Sequence, residues 1–283
     1  MTRRFAGLAL CAALAATAGV ATATDAEFQG VAAGCAVSPA LVVIGPAEAR
    51  VIARLDHRPP LTIVAVGSSS TQGVGASAPG LSYPSRLEAA LRDRFPGIDI
   101  RVINRGRGGE DVTEELARLD RDVIAEHPEL VIWQVGTNAV LRRDDLSTDR
   151  ELIERGVAQL KGSGSDVVLM DMQYAPRVLA RPAYAEMEQI IATAAQHAGI
   201  GLFRRFEIMR YWETAQQADA PKMIGPDGLH MTDRSYGCLA NDLAEGLARN
   251  WGAKRAAPLA SAERVAGLTG QGRATAPPTD ADP

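Results

Sequence analysis

The sequence predicts an α/β fold, a three-layer α/β/α sandwich with a central, mostly parallel five-stranded sheet. From residue 61 onward, short runs rich in β-branched residues alternate with amphipathic helical stretches. The predicted strands are almost continuously apolar, which is typical of parallel strands that helices cover on both faces. In open sheets of this kind, sites form at the carboxyl ends of the strands, so functional residues are expected at that edge.

The predicted strands are five short apolar runs. The first of them, residues 61–66, contains no charged residue and stops at Gly67. Because β-branched residues favour strands and glycine disfavours them, both the run and its end are indicated. The strands are expected at residues 61–66, 100–103, 130–135, 167–170 and 200–203.

Amphipathic stretches between and after these strands predict five helices. The second shows the pattern most clearly, because Val112, Leu116, Leu119 and Val123 fall at positions i, i+4, i+7 and i+11. The first predicted helix stops before Pro96-Gly97, two residues that are disfavoured inside a helix. The helices are expected at residues 82–94, 110–126, 152–160, 184–197 and 232–250.

Residues 1–24 have the features of a signal peptide. Arg3 and Arg4 precede an uncharged apolar stretch, and Ala21-Thr22-Ala23 resembles a cleavage site. The apolar stretch is shorter than the roughly 20 residues that a membrane span needs, although an uncleaved amino-terminal anchor is the alternative. We therefore expect a periplasmic or secreted protein without stable membrane insertion after the leader is removed.

The rest of the chain divides into three parts. Residues 25–60 form an amino-terminal extension, and residues 61–251 form the α/β domain. Residues 252–283 are rich in Ala, Pro, Gly and Thr and lack periodicity, so this tail is expected to be disordered.

Removal of the leader takes away Cys11 and leaves two cysteines, Cys35 and Cys238. On the last predicted helix, Cys238 shares the polar stripe with Asp242 and Glu245, a poor position for a core-filling cysteine. An even pair in an exported protein indicates a disulfide. We hypothesise a Cys35–Cys238 bridge that fixes the extension over this helix, and two free thiols are the alternative.

Composition and charge exclude several classes of protein. The 46% hydrophobic and 23% charged residues exclude a disordered chain, and the formal net charge of −4 provides no basic field for nucleic acid. The three cysteines and four histidines show no metal-ligand spacing. We expect neither a metal nor a cofactor.

Four short motifs carry the candidate chemistry. Three of them begin just after the first three predicted strands, and the fourth precedes the last helix. They are Gly-Ser-Ser-Ser-Thr-Gln-Gly at 67–73, Asn-Arg-Gly-Arg-Gly-Gly at 104–109, Gly-Thr-Asn at 136–138 and Asp-Gly-Leu-His at 227–230. Together they resemble the four signature blocks of the SGNH (GDSL) hydrolase superfamily. Each block alone is weak, but four in the right order, each on its expected element, are specific, and they cover residues 60 to 250.

The resemblance implies a flavodoxin-like fold, ester hydrolysis and five site residues. Ser69 would be the nucleophile, His230 the general base and Asp227 the carboxylate that orients the imidazole. The backbone N–H groups of Ser69 and Gly109 and the side-chain amide of Asn138 would form the oxyanion hole. This assignment is chemically coherent, because a serine hydroxyl needs a base and the developing oxyanion needs preorganised donors.

The chain departs from the family blocks at two positions. Ser68 stands where the family has the aspartate before the nucleophile, and Ala139 stands where an aspartate usually follows the asparagine. Both departures affect the expected support of the loops rather than the five site residues. Because residues 68–70 are all serines, an alignment shifted by one residue is the alternative, and strand alternation and Gly67 favour Ser69 as the nucleophile.

Three further residues are candidates for substrate binding. Arg105 and Arg107 could contact an anionic or hydroxylated substrate, with solvated loop arginines as the alternative. Tyr174 follows the fourth predicted strand and could line the pocket. A phosphate-binding reading of residues 67–75 fails, because the loop lacks the Gly-Lys-Ser/Thr ending of a P-loop.

The sequence thus favours a serine esterase that forms an acyl-serine intermediate on a carbohydrate O-acetyl group or a lipid ester. The expected partner is a small-molecule or glycan ester. One alternative is an O-acyltransferase that acts on an envelope glycan with the same triad, and another is a non-catalytic binding module on the same fold. If His230 is the base, activity should fall as the pH drops and the imidazole takes up a proton.

Overall fold

The structure is a computed structural model that describes residues 35, 37–57, 60–142, 145–215 and 222–268. The predicted leader, residues 25–34, 36, 58 and 59 of the extension and residues 269–283 lie outside the described residues. One sheet of five strands forms the centre, and every neighbouring pair is parallel. The strands are β1 Leu61–Gly67, β2 Ile100–Gly106, β3 Leu130–Gln134, β4 Asp166–Met170 and β5 Gly201–Phe203.

Helices cover both faces of this sheet, as the α/β prediction requires. They are α1 Ala49–His57, α2 Ser69–Gln72, α3 Tyr83–Arg94, α4 Val112–Leu116, α5 Leu119–Asp122, α6 Thr137–Arg142, α7 Asp149–Gly162, α8 Pro176–Leu179, α9 Tyr184–Ala198, α10 Arg205–Ala215 and α11 Asp233–Leu268.

The core consists of two apolar layers, one on each face of the sheet. Successive side chains of a strand point to opposite faces, so Ile63 and Ala65 of β1 enter one layer, whereas Val64 and Val66 enter the other. The first layer packs against α1, α3, α10 and α11, and the second against helices that include α7 and α9. The three-layer sandwich predicted from the alternating pattern is confirmed.

The strand order places the functional loops next to one another. The order across the sheet is β2-β1-β3-β4-β5, so the chain winds one way from β1 and the other way from β3. In doubly wound sheets the crevice at such a reversal is the usual position of a site. Ser69 begins the short helix α2 just after β1, and Asn138 lies in the first turn of α6 just after β3.

Two predicted helices differ from the structure. The helix predicted over 110–126 is broken into α4, α5 and a short 3-10 turn, and Arg118 lies at the break. Its buried guanidinium binds Glu110 at 2.6 Å. The last helix continues to Leu268 instead of ending at residue 250, so residues 252–268 are helical rather than part of a disordered tail. Several alanines in this segment have high helix propensity, which explains the extension.

Among the described helices, none combines the length and the apolar character that a membrane crossing requires.

The residues that precede β1 are part of the folded unit. Val42 and Ile44 are buried in the core layer that includes α11. The carbonyl of Ile44 accepts a hydrogen bond of 2.7 Å from the N–H of Leu202, so this segment pairs with the outer edge of β5. The extension therefore covers both a sheet edge and one side of α11.

Cys35 and Cys238 form a disulfide in the structure, with their Cα atoms 5.4 Å apart. Cys238 does not face solvent, as a polar stripe would suggest; it and Asp242 are both buried. The helical pattern misleads here because the extension packs on this side of α11. The indole of Trp212 adds a 3.2 Å hydrogen bond to the carbonyl of Cys35.

Loss of this bridge is expected to destabilise the protein. The two cysteines are separated by 203 residues, and the removal of a native disulfide typically costs about 2–5 kcal/mol of unfolding free energy. We expect a loss in this range for Cys35→Ala/Cys238→Ala, measured by urea denaturation. Wild-type protein that has been reduced is the matched control and should lose as much. Thiol labelling of the denatured, unreduced protein at either cysteine, mapped by peptide mass, would contradict the bridge.

Candidate active site

The loops after β1 and β2 rest on each other. The N–H of Arg107 donates to the carbonyl of Gly67 at 2.9 Å, and the N–H of Gly108 donates to Oε1 of Gln72 at 2.8 Å. A Cβ atom added at Gly108 would lie 3.8 Å from the Cβ of Ser69. The second sequence block is therefore adjacent to Ser69.

Ser69, His230 and Asp227 form a continuous hydrogen-bonded line. Nε2 of His230 lies 2.9 Å from Oγ of Ser69, although the two residues are 161 positions apart. Nδ1 of the same ring lies 2.5 Å from Oδ2 of Asp227. Because an ionised carboxylate can only accept a hydrogen bond, Nδ1 carries the proton and Nε2 is left to accept the serine proton. This is the arrangement of a nucleophile, a base and an orienting carboxylate.

The backbone around His230 is fixed by a tight turn. An isolated antiparallel bridge joins Ile224 to Met231, and the N–H of Gly225 donates to the carbonyl of His230 at 2.8 Å. The neighbouring loop approaches closely at Gly75, where a Cβ atom would lie 2.3 Å from the carbonyl oxygen of Met231. The φ of +95° at Gly75 is also one that glycine adopts readily. Glycine at this position lets His230 reach the loop after β1.

The Asp227 carboxylate is stabilised in its charged form. Burial raises the pKa of Asp227, but hydrogen bonds from the His230 backbone, the His230 ring and the Leu229 backbone lower it and outweigh the burial, so the pKa falls to about 2. Oδ1 accepts the two backbone bonds, each 3.0 Å long, and Oδ2 contacts the ring. Asp227 therefore remains ionised at neutral pH.

Of the three consecutive serines, Ser69 is the one that contacts His230. The hydroxyls of Ser68 and Ser70 lie 3.2 and 3.0 Å from Oε1 of Gln134, on the buried side of the loop. The geometry therefore favours the alignment with Ser69 as the nucleophile over one shifted by a residue.

The two other candidate oxyanion donors lie beside each other. Gly109 has a left-handed φ of +85°, and Nδ2 of Asn138 donates to the carbonyl of the next residue, Glu110, at 2.8 Å. One turn further along α6, the guanidinium of Arg142 donates to the carbonyl of Gly109. The amide of Asn138 has a second N–H. Residues 109 and 110 are thus anchored to the helix that carries Asn138.

Arg105 and Arg107, predicted as possible substrate contacts, both have acidic partners within the protein. Arg105 forms an ion pair with Glu126 and donates to the carbonyl of Asp122 at 3.0 Å. Arg107 lies 2.9 Å from the carboxylate of Asp122. Both guanidinium groups thus pair with the segment that follows β2 and are still 37% and 53% exposed, so a substrate-binding role for them stays a prediction.

Tyr174 lines a cavity of about 610 Å³ that also borders the turn before His230. Its ring packs edge-on against Phe206, with the ring centroids 5.2 Å apart. Pro176, Leu179 and Met223 make much of the wall apolar, and Glu213 and Lys222 add opposite charges. A substrate-binding role for Tyr174 stays a prediction.

A metal site is not evident from the side chains: in the portion of the chain that the structure describes, no group of three or more His, Cys, Asp or Glu residues could hold an ion.

Sequence reasoning missed a group of buried polar residues beneath the nucleophile loop. They are Gln134, Thr137, Gln173 and Arg205. Each lies at or just after the carboxyl end of a strand, in a run that is otherwise largely apolar. Their position at the strand ends could have indicated a functional role, since a polar side chain at the functional edge of a parallel sheet is seldom there for packing alone.

Comparison with known proteins identifies the family. A model of the non-GDSL lipase-like family matches residues 34–252. The chain belongs to this family. An arylesterase of Vibrio mimicus is 27% identical over 170 residues, which are 60% of this chain and 80% of the relative. An acetylxylan esterase of Geobacillus stearothermophilus is 34% identical over 91 residues, 32% of this chain and 42% of the relative.

Solved structures show the same fold for this member of the non-GDSL lipase-like family. A two-domain esterase active on acetylated mannans matches with a TM-score of 0.61 and 21% identity, over 74% of this chain and 55% of that one. TesA matches with a TM-score of 0.56 and 24% identity, over 66% of this chain and 97% of that one. The chain thus spans little more than half of the two-domain esterase. These findings confirm the resemblance to SGNH hydrolases and the predicted class, a carboxylic ester hydrolase.

Proposed function

We propose that the protein is a serine esterase that works through an acyl-serine intermediate at Ser69. The observation that carries the proposal is the line of hydrogen bonds from Ser69 Oγ through the His230 ring to Asp227, with distances of 2.9 and 2.5 Å. A non-catalytic binding module on the same fold would not need a hydroxyl, an imidazole and a carboxylate within hydrogen-bonding distance of one another.

In the first step, Oγ of Ser69 attacks the ester carbonyl carbon while Nε2 of His230 takes the hydroxyl proton. The tetrahedral intermediate collapses, the bond from carbon to the leaving oxygen breaks, and His230 returns the proton to the leaving alcohol. In the second step, a water molecule attacks the acyl-serine and His230 takes its proton. The acid leaves and Oγ of Ser69 regains a proton. Asp227 stabilises the imidazolium that forms in each step.

The oxyanion of both tetrahedral intermediates would be bound by the N–H groups of Ser69 and Gly109 and by the amide of Asn138. Preorganised donors of this kind stabilise developing charge, and the loss of one typically costs about 3–4 kcal/mol in the transition state. The anchoring of residues 109 and 110 to α6 supports this role, because it keeps two of the three donors in a fixed relation.

For the substrate, we propose an acetyl ester on an extracellular or cell-envelope carbohydrate. An acetylxylan esterase and an esterase active on acetylated mannans are among the similar proteins. The predicted leader and the Cys35–Cys238 disulfide support a periplasmic or secreted location, since disulfides persist in oxidising compartments. A lipid ester is the alternative substrate, and transfer of the acyl group to a glycan hydroxyl is the alternative outcome of the second step.

The test has two parts: one compares the rates of hydrolysis of different esters, and the other identifies the nucleophile. Wild-type protein should release acetate from acetylated xylo- and manno-oligosaccharides and from p-nitrophenyl acetate faster than it hydrolyses p-nitrophenyl palmitate. A fluorophosphonate probe should attach to the peptide that contains Ser69, and Ser163→Ala, at an exposed helix end, should be labelled equally. An adduct on another peptide would contradict the mechanism. Acylated acceptor glycan in place of free acetate would identify a transferase.

A further inference from the structure

A buried arginine lies beneath the proposed nucleophile. Arg205 is the first residue of α10, two positions after the end of β5, and its side chain is 0% exposed. Burial lowers the pKa of its guanidinium, and attraction to Asp171 opposes that effect. A buried guanidinium is costly unless it is paired and hydrogen-bonded. Its partners should therefore explain why it is there.

The acidic side chains whose charges act on Arg205 are those of Asp171 and Glu188. Burial raises the pKa values of both Asp171 and Glu188, and Glu188 is raised further by repulsion from Asp171. The two carboxyl side chains are hydrogen-bonded to each other. Oδ1 of Asp171 accepts a 2.8 Å hydrogen bond from the N–H of Phe206, and among the described residues no hydrogen bond joins its side chain to Ser69 or Ser70.

The two terminal nitrogens of Arg205 donate hydrogen bonds to two different segments, one after β1 and one after β4. Nη1 donates to Oγ of Ser70 at 2.9 Å. Nη2 donates to Oε1 of Gln173 at 3.0 Å, and this oxygen also accepts from Oγ1 of Thr137 at 2.9 Å. Ser70 directly follows Ser69, and Thr137 directly precedes Asn138. One planar guanidinium therefore connects the neighbour of the nucleophile with the neighbour of a proposed oxyanion donor.

The first of these connections continues through Gln134. Oε1 of Gln134 lies 3.0 Å from Oγ of Ser70 and accepts a 3.1 Å bond from the N–H of Ser68. A hydroxyl that accepts from a cationic donor becomes a stronger donor itself, so the chain from Arg205 through Ser70 to Gln134 is mutually reinforcing. The SGNH (GDSL) signature block has an aspartate at the position of Ser68, and this chain has no carboxylate there. The loop is held instead by neutral groups and by the charge of Arg205.

We propose that Arg205 is a positioning residue: by binding Ser70 directly and Thr137 through Gln173, it sets the distance between the segment that carries Ser69 and the segment that carries Asn138. The inference rests on the proposed esterase function and deepens it. The rigid guanidinium fork suits this role, because a lysine ammonium in its place is a single point on a flexible stem and does not reproduce two divergent, planar donors. Small displacements of reacting groups, of about 1 Å, can lower rates on the order of 100-fold.

The experiment measures kcat per active site, with sites counted by fluorophosphonate titration, and KM for p-nitrophenyl acetate. We expect Arg205→Lys to lower kcat per site on the order of 100-fold. Ser70→Ala and Thr137→Val, which each remove one hydroxyl, should lower it about tenfold, with KM within about twofold of wild type. Combining Ser70→Ala with Arg205→Lys should add little, because the bond to Ser70 is already lost.

The control and the alternatives separate positioning from stability. Ser165→Ala removes a buried hydroxyl that donates 2.9 Å to the carbonyl of Pro128 before β3, away from the site, and should leave kcat per site unchanged. If Arg205→Lys does not fold, the two hydroxyl variants still test the inference. It would be overturned if those variants lost only unfolding stability or titratable sites while kcat per site stayed within twofold of wild type. Wild-type protein that neither cleaves the ester nor reacts with the probe would overturn the proposed function, and the inference with it.

Discussion

Replacement of either Ser69 or His230 by alanine is expected to lower kcat for ester hydrolysis on the order of 10⁶-fold. Ser69→Ala removes the atom that forms the acyl bond, and His230→Ala leaves a hydroxyl without a base at 2.9 Å. Because the two groups act as one unit, Ser69→Ala/His230→Ala should be no slower than either single variant. The measurement is steady-state hydrolysis of p-nitrophenyl acetate, corrected for the rate without protein.

Matched substitutions outside the site provide the controls for this experiment. Ser163→Ala and His197→Ala alter an exposed serine and an exposed histidine, and both should keep wild-type kcat. Activity within about 100-fold of wild type in Ser69→Ala would mean that another nucleophile acts. Additive losses in the double variant would show that Ser69 and His230 work independently, against the hydrogen-bonded line.

Replacement of Asp227 by asparagine is expected to lower kcat on the order of 10⁴-fold. An asparagine amide can donate to Nδ1 and so stabilise the tautomer in which Nε2 carries the proton and cannot accept one from Ser69. Asp99→Asn makes the same change at a side chain that is 73% exposed beside β2, and it should keep wild-type activity. Equal kcat in Asp227→Asn and wild type would exclude an orienting role for the carboxylate.

The pH profile provides a second test of Asp227. Because the pKa of this carboxyl is lowered to about 2, it stays ionised through the acidic range in which the enzyme is assayed. Its contribution to stability is lost progressively as the pH falls from about 4, the ordinary pKa of an aspartate, through about 2. The acid side of the kcat/KM profile should therefore follow the uptake of one proton rather than two, because Asp227 contributes none. Uptake of two protons on the acid side of the profile would show that Asp227 takes up a proton in the assayed range as well.

The parts of the fold that follow from local pattern could be predicted from the sequence. The apolar runs fixed β1, β3 and β4 to within about two residues, because strands covered on both faces leave little room for polar residues. That Ser69, Gly109 and Asn138 lie near one another could also be predicted, because each follows a strand and the carboxyl ends of parallel strands lie at the same edge of the sheet. The extra length of β2, which continues to Gly106, was not, because its last residues belong to a polar motif.

Features that depend on packing between distant segments could not be predicted. The hydrophobic pattern of α11 gave Cys238 a polar environment, and only the extension that lies over it makes that side of the helix buried. The positions of Arg105 and Arg107 at the edge of the sheet could be predicted. Their ion pairs could not, because the acidic partners lie further along the chain, in the segment that follows β2 and folds back onto it. Arg205 is one of two adjacent arginines, Arg204 and Arg205, and no local pattern indicates which one turns inward.

The contacts of the segment with Ile44 limit how far the chain can be shortened from its amino terminus. Its carbonyl pairs with the N–H of Leu202 on the outer strand, and its side chain is shielded from water. A recombinant chain trimmed to begin at residue 61 would uncover that strand and an apolar strip of α11 together. Bare strand edges of this kind promote self-association, so we expect a shortened chain to stay monomeric only if it keeps the segment from Cys35 to the first strand.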